Sequence, residues 1–270
     1  MTTGDFQTHY IEDGSGDPVI LLHGGGAGAD SSSNWSTCLP LFGKRKRVIA
    51  MDMVGFGHTD KPDPGTFTYS QDARNSQVLA FIEELGLERV SIVGNSMGGA
   101  TALGVAMRRP DLVENLVLMG SAGVPGDTKM SPALEPVMNY DFTLEGMRRI
   151  IAVLANPDYV ASDEQIRYRY ELSVKADTKA AYTAIMGWVR ENGFGYSFDE
   201  IKRVKTRTLV VNGKDDEVVP IANAYKFLEL LENSTGYLMP HCRHWAMIEY
   251  PDIFSSVALD FIDAYGADEN

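Results

Sequence analysis

Short apolar runs recur along the chain, separated by segments in which apolar residues have helical spacing. Runs typical of buried strands lie at 18–22, 47–51, 90–93, 116–119, 208–211 and 236–239. Helical segments are predicted at 71–85, 99–107, 222–231 and close to the end of the sequence. Strands that alternate with helices predict an α/β protein with a mostly parallel, doubly wound sheet, whose chemistry lies at the carboxyl ends of the strands.

Two regions depart from this alternation. Residues 6–17 are polar around a turn at 13–17 and predict an antiparallel edge hairpin. Between 124 and 197 no buried strand is recognisable, and helical stretches at 143–154 and within 164–186 predict a helical cap inserted into the sheet domain. We therefore assign residues 1–124 and 198–270 to the core and residues 125–197 to the cap. The cap contains several aromatic residues, namely Tyr159, Tyr168, Tyr170, Tyr182 and Trp188.

Composition narrows the classes of protein and of partner. The chain has 270 residues, 44% hydrophobic and 23% charged, which fits one large α/β domain or two small ones. Its 24 basic and 37 acidic residues give a formal net charge of −13, which disfavours nucleic acid and anionic membranes as partners. An anionic substrate would therefore need a positive group inside its pocket.

Cysteine usage and targeting signals point to the cytoplasm. Cys38 and Cys242 are far apart and match no C-x-x-C pattern, so we expect two buried thiols rather than a disulfide. No signal peptide is evident, and no apolar stretch approaches the length that spans a membrane. A cytoplasmic location is the resulting expectation.

The most informative motif is the G-x-S-x-G pentapeptide Gly94-Asn95-Ser96-Met97-Gly98. An apolar strand precedes it and a helix of small residues follows, which is the setting of a nucleophile elbow. A serine on so sharp a turn is strained, and side chains at the flanking glycines would collide with neighbouring backbone. The alternative is an ordinary strand-to-helix turn that happens to contain a serine.

A glycine-rich loop, H-G-G-G-A-G at 23–28, follows the first apolar strand. Dinucleotide binding would require a helix that opens on the last glycine and an acidic residue about 20 positions later, whereas a polar loop follows here. A P-loop is excluded because no Gly-Lys-Ser/Thr follows. We favour a third interpretation, an oxyanion loop whose backbone amides face a serine on a later strand.

Ser96, Asp216 and His244 occur in the chain order of a doubly wound serine hydrolase, each on a loop after a strand. A hydrolytic serine needs a base and a carboxylate that fixes the tautomer of that base. Asp215 is the rival acid, but Asp216 has the spacing G-x-x-D-x-x-V-P within 213–220. These three residues are therefore the candidate catalytic triad.

Other histidines offer weaker alternatives. His241 is the rival base, and His241, Cys242 and His244 could instead bind a metal, although no further ligands lie near them in sequence. We expect no metal site. His58 has no serine or acidic neighbour in its loop and is interpreted as structural or pocket-lining.

Taken together, the motifs resemble the α/β-hydrolase superfamily and, within it, the meta-cleavage product hydrolases. These serine-dependent enzymes cut a carbon–carbon bond in vinylogous 1,5-diketones formed by aromatic ring opening. The resemblance covers nearly the whole chain and is greatest toward members from carbazole degradation. The segments that carry it are 23–26, 34–35, 52–57, 94–99, 117–123, 139–143, 169–171 and 244–249.

The resemblance implies roles for individual residues. Ser96 would attack the substrate, His244 would move protons and Asp216 would orient His244. The backbone amides of Gly25 and Met97 would form the oxyanion hole. The remaining substrate-binding positions that it implies are Gly24, Gly26, Asn34, Asn95, Arg169 and Trp245.

Arg169, from the cap, would meet the carboxylate and enolate end of the substrate, a contact for which the guanidinium group is suited. The alternative is an ordinary surface arginine on an amphipathic helix, and Arg167 and Arg190 are its rivals. The aromatic residues of the cap would hold the other end of the substrate in an apolar subsite.

One position departs from the family pattern. Most relatives have glycine directly before the catalytic histidine, and this chain has Arg243. If the position requires a positive φ, arginine would cost about 1 kcal/mol there. Its charge would also disfavour the imidazolium form of His244.

The resulting expectation is a cofactor-free hydrolase of 2-hydroxy-6-oxo-6-arylhexa-2,4-dienoates in aromatic compound degradation. The partner would be this small anionic dienoate, and relatives suggest a homodimer or larger homo-oligomer. A carboxylesterase is the alternative on the same fold, since it uses the same triad and oxyanion loop. A non-catalytic binding protein is disfavoured because all three triad members are present.

Overall fold

The computed structural model describes residues 1–125 and 131–264. A seven-stranded sheet with the order β3-β5-β4-β6-β7-β8-β9 forms its centre, and only β3 runs antiparallel to its neighbour. A separate two-stranded antiparallel sheet consists of β1 (Thr2–Thr3) and β2 (Phe6–Gln7). The strands of the central sheet are β3 (Tyr10–Asp13), β4 (Pro18–Leu22), β5 (Arg47–Met51), β6 (Val90–Asn95), β7 (Val113–Met119), β8 (Arg207–Gly213) and β9 (Ser234–Met239).

Helices cover both faces of this sheet. Those of the core are α1 (Ser31–Trp35), α2 (Leu39–Phe42), α3 (Gln71–Glu84), α4 (Met97–Arg108), α9 (Phe198–Lys202), α10 (Ile221–Leu230), α11 (Ala246–Glu249) and α12 (Pro251–Asp263). Between β7 and β8 come a 3₁₀ turn (Pro132–Leu134), α5 (Glu135–Met138), α6 (Leu144–Leu154), α7 (Asp163–Ser173) and α8 (Ala176–Asn192).

Alternate residues of the central strands enter two separate hydrophobic clusters. In β4, Val19 and Leu21 pack with Trp35 and residues of α2 and α12, while Ile20 and Leu22 pack with residues of α3, α4 and α10. Such a strand is buried on both faces, which is why it reads as a continuous apolar run without alternation. The predicted doubly wound α/β architecture is confirmed.

Of the antiparallel edge hairpin predicted at 6–17, the antiparallel edge strand is confirmed and the hairpin is wrong. β3 pairs with β5 in the register Tyr10↔Met51 to Asp13↔Val48, so β5 separates β3 from β4. The apolar β4 needs a neighbour on each side, and it finds them in β5 and β6. The more polar β3 takes the edge position, where one face meets water.

Among the described residues between β7 and β8 there are helices and no strand. α6 packs against α5 and α7, and α7 packs against α8, whereas α9 packs against α4 and α10 of the core. Residues 126–130, at the start of the predicted cap, lie outside the described residues. The division of the chain at 124/125 and 197/198 stays a prediction.

Both cysteines are buried free thiols, as predicted. Burial raises the pKa of the Cys38 thiol to about 11, so this side chain is a neutral packing group near neutral pH. In the described part of the chain, no helix combines the length and the apolar character needed to cross a bilayer.

Candidate active site

Ser96 occupies a strained turn between β6 and α4, with φ 55° and ψ −117°. The backbone around it leaves no room for side chains at the flanking glycines. A Cβ at Gly94 would lie 2.6 Å from the Gly99 nitrogen, and a Cβ at Gly98 would lie 2.6 Å from the His23 carbonyl oxygen. The elbow geometry predicted from the motif is therefore present, together with its steric reason.

His244 and Asp216 form a buried hydrogen-bonded pair, with 2.8 Å between Nδ1 and Oδ2. The other carboxylate oxygen of Asp216 accepts hydrogen bonds from the backbone N–H groups of Val218 and Val219, each at 2.9 Å. Because the ionised carboxylate only accepts, Nδ1 of His244 carries the proton and Nε2 is the basic nitrogen. Asp215, the rival acid, is exposed.

Ten of the eleven predicted site residues line one cavity at the carboxyl ends of the strands. They are Gly24, Gly25, Gly26, Asn34, Asn95, Ser96, Met97, Arg169, His244 and Trp245. Asp216, the eleventh, lies behind His244. The structure thus brings the predicted residues together, while their individual roles stay proposals.

His23 anchors the glycine loop, a role that was not recognised from the sequence. Its fully buried ring accepts a hydrogen bond at Nε2 from the Met53 N–H (3.0 Å), so the opposite nitrogen, Nδ1, donates to the Gly24 carbonyl (2.8 Å). Burial lowers the pKa of His23, which keeps the ring neutral. The loop that follows lies against the elbow, and a Cβ at Gly25 would lie 3.0 Å from the Met97 sulfur.

Arg169 reaches into the cavity from α7 and is 1% exposed. One terminal nitrogen donates to Ser33 Oγ (3.1 Å) and Asn34 Oδ1 (3.3 Å), and the other donates to the Ala27 carbonyl (3.1 Å). The guanidinium also lies 5.0 Å from the ring centroid of Trp245. The interpretation of Arg169 as a surface arginine is therefore wrong.

The guanidinium of Arg169 has no carboxylate in direct contact among the described residues, and the buried Asp30 is the acidic group that acts on it from further away. Within residues 1–125 and 131–264 no carboxylate lies within 4.0 Å of it, and its Nε has no hydrogen-bond partner. Burial lowers its pKa to about 10, so the group still carries its charge at neutral pH. The rivals Arg167 and Arg190 are exposed. The cavity thus contains a desolvated cation that suits an anionic ligand.

The amide oxygen of Asn95 is a second unsatisfied group at this site. Oδ1 of Asn95 is buried without a hydrogen-bond partner among the described residues, while its Nδ2 donates to the Met119 carbonyl (3.2 Å). An unpaired buried acceptor is costly unless a ligand supplies a donor. The cavity therefore offers both a cation and a free acceptor beside Ser96.

The cap side of the cavity differs from expectation. It is lined there by the aliphatic or sulfur-containing residues Leu134, Val137, Met138, Leu154 and Met186 and by the aromatic Phe194. The five aromatic residues named for the cap do not line it, so the aromatic contribution of the predicted cap comes from Phe194. Hydroxyl groups explain part of this, because Tyr182 donates to the Val137 carbonyl and Tyr168 donates to Asp30.

Arg243 is not strained, so the predicted cost of replacing glycine there is wrong. The positive φ in this loop belongs to His241 (54°). The guanidinium of Arg243 donates to the Ala152 carbonyl at the end of α6 (3.0 Å) and lies 4.0 Å from the Glu217 carboxylate. It does not line the cavity.

The loop that carries His244 is joined to the end of α6 by further hydrogen bonds. The His244 N–H donates to the Leu154 carbonyl (3.0 Å). The carboxylate of Glu249 accepts from the backbone N–H groups of Arg243 and Asn156, each at 3.1 Å. Glu249 gives no signal in the sequence because its partners come from two distant segments.

The disfavoured alternative of a metal site at His241, Cys242 and His244 has no such cluster of ligand atoms among the described residues. Among the described residues, the ligand-type side chains that converge are instead His9, Asp52 and His58. His58 lies 3.7 Å from the Asp52 carboxylate and outside the cavity, so its interpretation as pocket-lining or without an acidic neighbour is corrected.

Comparison with known proteins gives matches over nearly the whole chain. Residues 17–251 match the family of the alpha/beta hydrolase fold. The chain is 48% identical over 264 residues to 2-hydroxy-6-oxo-6-(2'-aminophenyl)hexa-2,4-dienoic acid hydrolase of Metapseudomonas resinovorans, covering 97% of this chain and 89% of that protein.

Solved structures agree with this match. A serine hydrolase involved in carbazole degradation is 47% identical with a TM-score of 0.89, covering 97% of this chain and 96% of that one. A meta-cleavage product hydrolase from Pseudomonas fluorescens is 33% identical with a TM-score of 0.89, covering 95% of this chain and 94% of that one.

Proposed function

We propose that this chain hydrolyses the carbon–carbon bond of a 2-hydroxy-6-oxohexa-2,4-dienoate with an aryl group at C6. It belongs to the α/β-hydrolase fold family and, within it, to the meta-cleavage product hydrolases. The observation that carries the proposal is the buried cation of Arg169, with no carboxylate of the described residues in contact, in the same cavity as Ser96 and His244. A substrate with a carboxylate at one end and an electrophilic carbonyl at the other matches that arrangement.

The reaction begins with ketonisation of the dienol: the 2-hydroxyl group loses its proton, C5 gains one, and C2 becomes a carbonyl. The carbonyl already present at C6 is then no longer conjugated with the diene, and the C2 carbonyl, through the C3–C4 double bond, can stabilise the carbanion that forms at C5 when the C5–C6 bond breaks. The Ser96 hydroxyl then adds to C6 while Nε2 of His244 takes its proton. The amides of Gly25 and Met97 stabilise the oxyanion. The C5–C6 bond breaks, the five-carbon fragment takes up a proton, and an aroyl ester of Ser96 remains. Water hydrolyses this ester and releases the aryl carboxylic acid.

Arg169 binds the carboxylate and enolate end of the dienoate, with Asn34, Asn95 and Trp245 around it. Gly24 and Gly26 line the cavity and leave room for the substrate because they have no side chains. A Cβ at Gly26 would lie 3.2 Å from an Arg169 terminal nitrogen. The aryl group occupies the aliphatic part of the cavity formed by residues from α5, α6 and α8. We assign 125–197 as the cap that completes this cavity.

Location and assembly are also part of the proposal. Two buried free thiols support a reducing cytoplasm. Exposed apolar side chains such as Tyr225 (55%) and Ile253 (46%) support a homodimer or larger assembly. Sedimentation velocity measures that assembly directly.

A spectrophotometric assay tests the reaction. We expect the parent protein to bleach the yellow 6-phenyl and 6-(2-aminophenyl) dienoates with stoichiometric release of the aryl acid, and Ser96→Ala to release none. The relative kcat/KM of the two substrates identifies the preferred aryl group. Brisk cleavage of neutral aryl esters without turnover of either dienoate would instead identify a carboxylesterase.

A further inference from the structure

A second cluster of ligand-type side chains lies at the edge of the sheet. His9 comes just before β3, Asp52 directly follows β5, and His58 lies in the loop after it. Nδ1 of His9 is 3.0 Å from Oδ2 of Asp52, and Nδ1 of His58 is 3.7 Å from the same oxygen. The three ligand atoms all lie within 4.8 Å of one another.

Asp52 forms the buried side of this cluster, and the imidazoles of His9 and His58 form its solvent-exposed side. The carboxylate of Asp52 is 0% exposed, whereas the side chains of His9 and His58 are 37% and 46% exposed. A solvated ion can therefore reach the histidines, and their rings have room to rotate. The two ring centroids are 5.0 Å apart.

Two carboxylates and two cations surround the cluster, since the charge of Asp52 acts on Lys61 and that of Asp30 acts on Arg169. A second buried carboxylate, Asp30, lies 4.0 Å from Nδ1 of His58. The other hydrogen bonds to Asp52 come from neutral backbone N–H groups, those of Ser31 (2.7 Å) and His58 (2.8 Å). Lys61 is the cation of the same loop, and its ammonium group donates to the carbonyls of Gly57 and Thr59.

We propose that His9, Asp52 and His58 bind a divalent first-row transition metal ion such as zinc. Two imidazole nitrogens and one carboxylate oxygen form a ligand set that zinc uses in proteins, with bonds of about 2.0–2.2 Å. Two atoms bonded to one tetrahedral ion at that length are about 3.3 Å apart. The observed separations of 3.0 Å and 3.7 Å bracket this value, so a rotation of the exposed rings completes the site.

The bound ion would act as a clamp rather than as a catalyst. None of its three ligands lines the active-site cavity. It would join the segment before β3 to the loop after β5, two parts of the chain that already contact each other through hydrogen bonds and through the ring pairs Phe6–Phe67 and His9–His58. Asp52 also accepts from the Ser31 N–H at the start of α1, the helix that carries Asn34. The bound ion would therefore stabilise the position of α1 and, through it, of Asn34 in the cavity.

Zinc titration by isothermal calorimetry tests the proposal on tag-free protein. We expect one zinc ion per chain for the parent protein. His9→Gln and His58→Gln should each weaken binding about tenfold or more, since loss of a ligand exceeds the effect of losing an outer-shell partner. His241→Gln, which removes an exposed histidine outside the cluster, is the matched control and should bind zinc as the parent does.

Cobalt provides an independent readout. Co²⁺ in a site of low coordination number absorbs visible light, and this absorption should appear in the parent and in His241→Gln and disappear in both cluster variants. Zinc should also raise the melting temperature of the parent and of the control only. Absence of saturable zinc binding, or equal binding by all four proteins, would overturn the proposal. Urea unfolding in EDTA verifies that the variants are folded, so that a loss of zinc binding reports on the removed ligand.

Discussion

The substitution Arg169→Met tests the central electrostatic argument. Methionine retains much of the stem of arginine but removes the charge and all five donors. A hydrogen bond to a charged group contributes about 1.5–3 kcal/mol, so loss of a two-pronged contact with the substrate carboxylate costs about 3–6 kcal/mol. That corresponds to a fall in kcat/KM for the dienoate of roughly 10²- to 10⁴-fold.

The stability of the folded protein should respond very differently. Burial lowers the pKa of Arg169 from 12.5 to about 10, and this corresponds to about 3 kcal/mol by which burial of the cation destabilises the fold. Methionine removes that penalty. It also removes the bonds to Ser33, Asn34 and Ala27. At 3.1–3.3 Å these are longer than strong charge-assisted bonds, so each contributes about 1 kcal/mol. The contact with Trp245, about 1 kcal/mol, is lost as well. The opposing contributions nearly cancel, so the free energy of unfolding should change by less than about 2 kcal/mol.

Steady-state kinetics on the dienoate and on a neutral aryl ester, combined with urea unfolding, measure both effects. Arg167→Met is the matched control, because Arg167 lies on the same helix and is exposed. It should leave kinetics and stability near those of the parent. Equal losses of activity on the dienoate and the neutral ester in Arg169→Met would refute the role of the charge. A loss of about 3–5 kcal/mol in unfolding free energy would show instead that the hydrogen bonds of Arg169 to Ser33, Asn34 and Ala27 mainly stabilise the fold.

Three further predictions follow from the site. Gly98→Ala places a Cβ 2.6 Å from the His23 carbonyl oxygen and should destabilise the fold by about 1–3 kcal/mol in urea unfolding. Gly187→Ala, which meets nothing within 4 Å, should instead stabilise α8 by about 0.5–1 kcal/mol. The free energy of unfolding should fall as the pH drops below 6.5, because His23 is protonated in the unfolded chain while burial keeps its ring neutral in the folded protein. His23 can contribute at most about 1.36 kcal/mol per pH unit to this fall. The free energy of unfolding of His23→Asn should therefore depend less steeply on pH. Glu249→Ala should lower kcat more than it changes KM by loosening the His244 loop, and Glu249→Gln, which retains an acceptor, should recover part of the loss.

Each of these three predictions has an outcome that contradicts it. Equal stabilities of the two glycine variants would mean that the elbow relaxes around a methyl group. A pH slope that is the same with and without His23 would show that the ring titrates in the folded state. Indistinguishable kinetics for Glu249→Ala and the parent would show that other hydrogen bonds suffice to hold the loop.

Much of the architecture could be predicted because the information is local. The strand, sharp turn and helix around Ser96 follow one another in sequence, and the glycines on either side report a close backbone approach. The order of Ser96, Asp216 and His244, each after an apolar strand, then places them at one edge of a parallel sheet. Arg169 was recognised through family resemblance, since its helix has no pattern that marks a buried cation.

The remaining features depend on contacts between distant segments. The pairing of β3 with β5 is decided by which strand needs two neighbours, and a polar strand of four residues does not reveal its partner. In the sequence His23 looks like part of the glycine loop, and only the structure shows that its ring accepts a hydrogen bond from the Met53 N–H. The cap wall was expected to be aromatic because composition does not show where hydroxyl groups point, as Tyr182 illustrates.

The hydrogen bonds between α6 and the histidine loop couple this helix to the proposed catalytic base. If the end of α6 moves, either the bond from the His244 N–H to Leu154 breaks or the loop moves with the helix. In both cases the backbone that places the His244 imidazole at the cavity is displaced. Any substitution or ligand that shifts α6 should therefore also change the environment of His244.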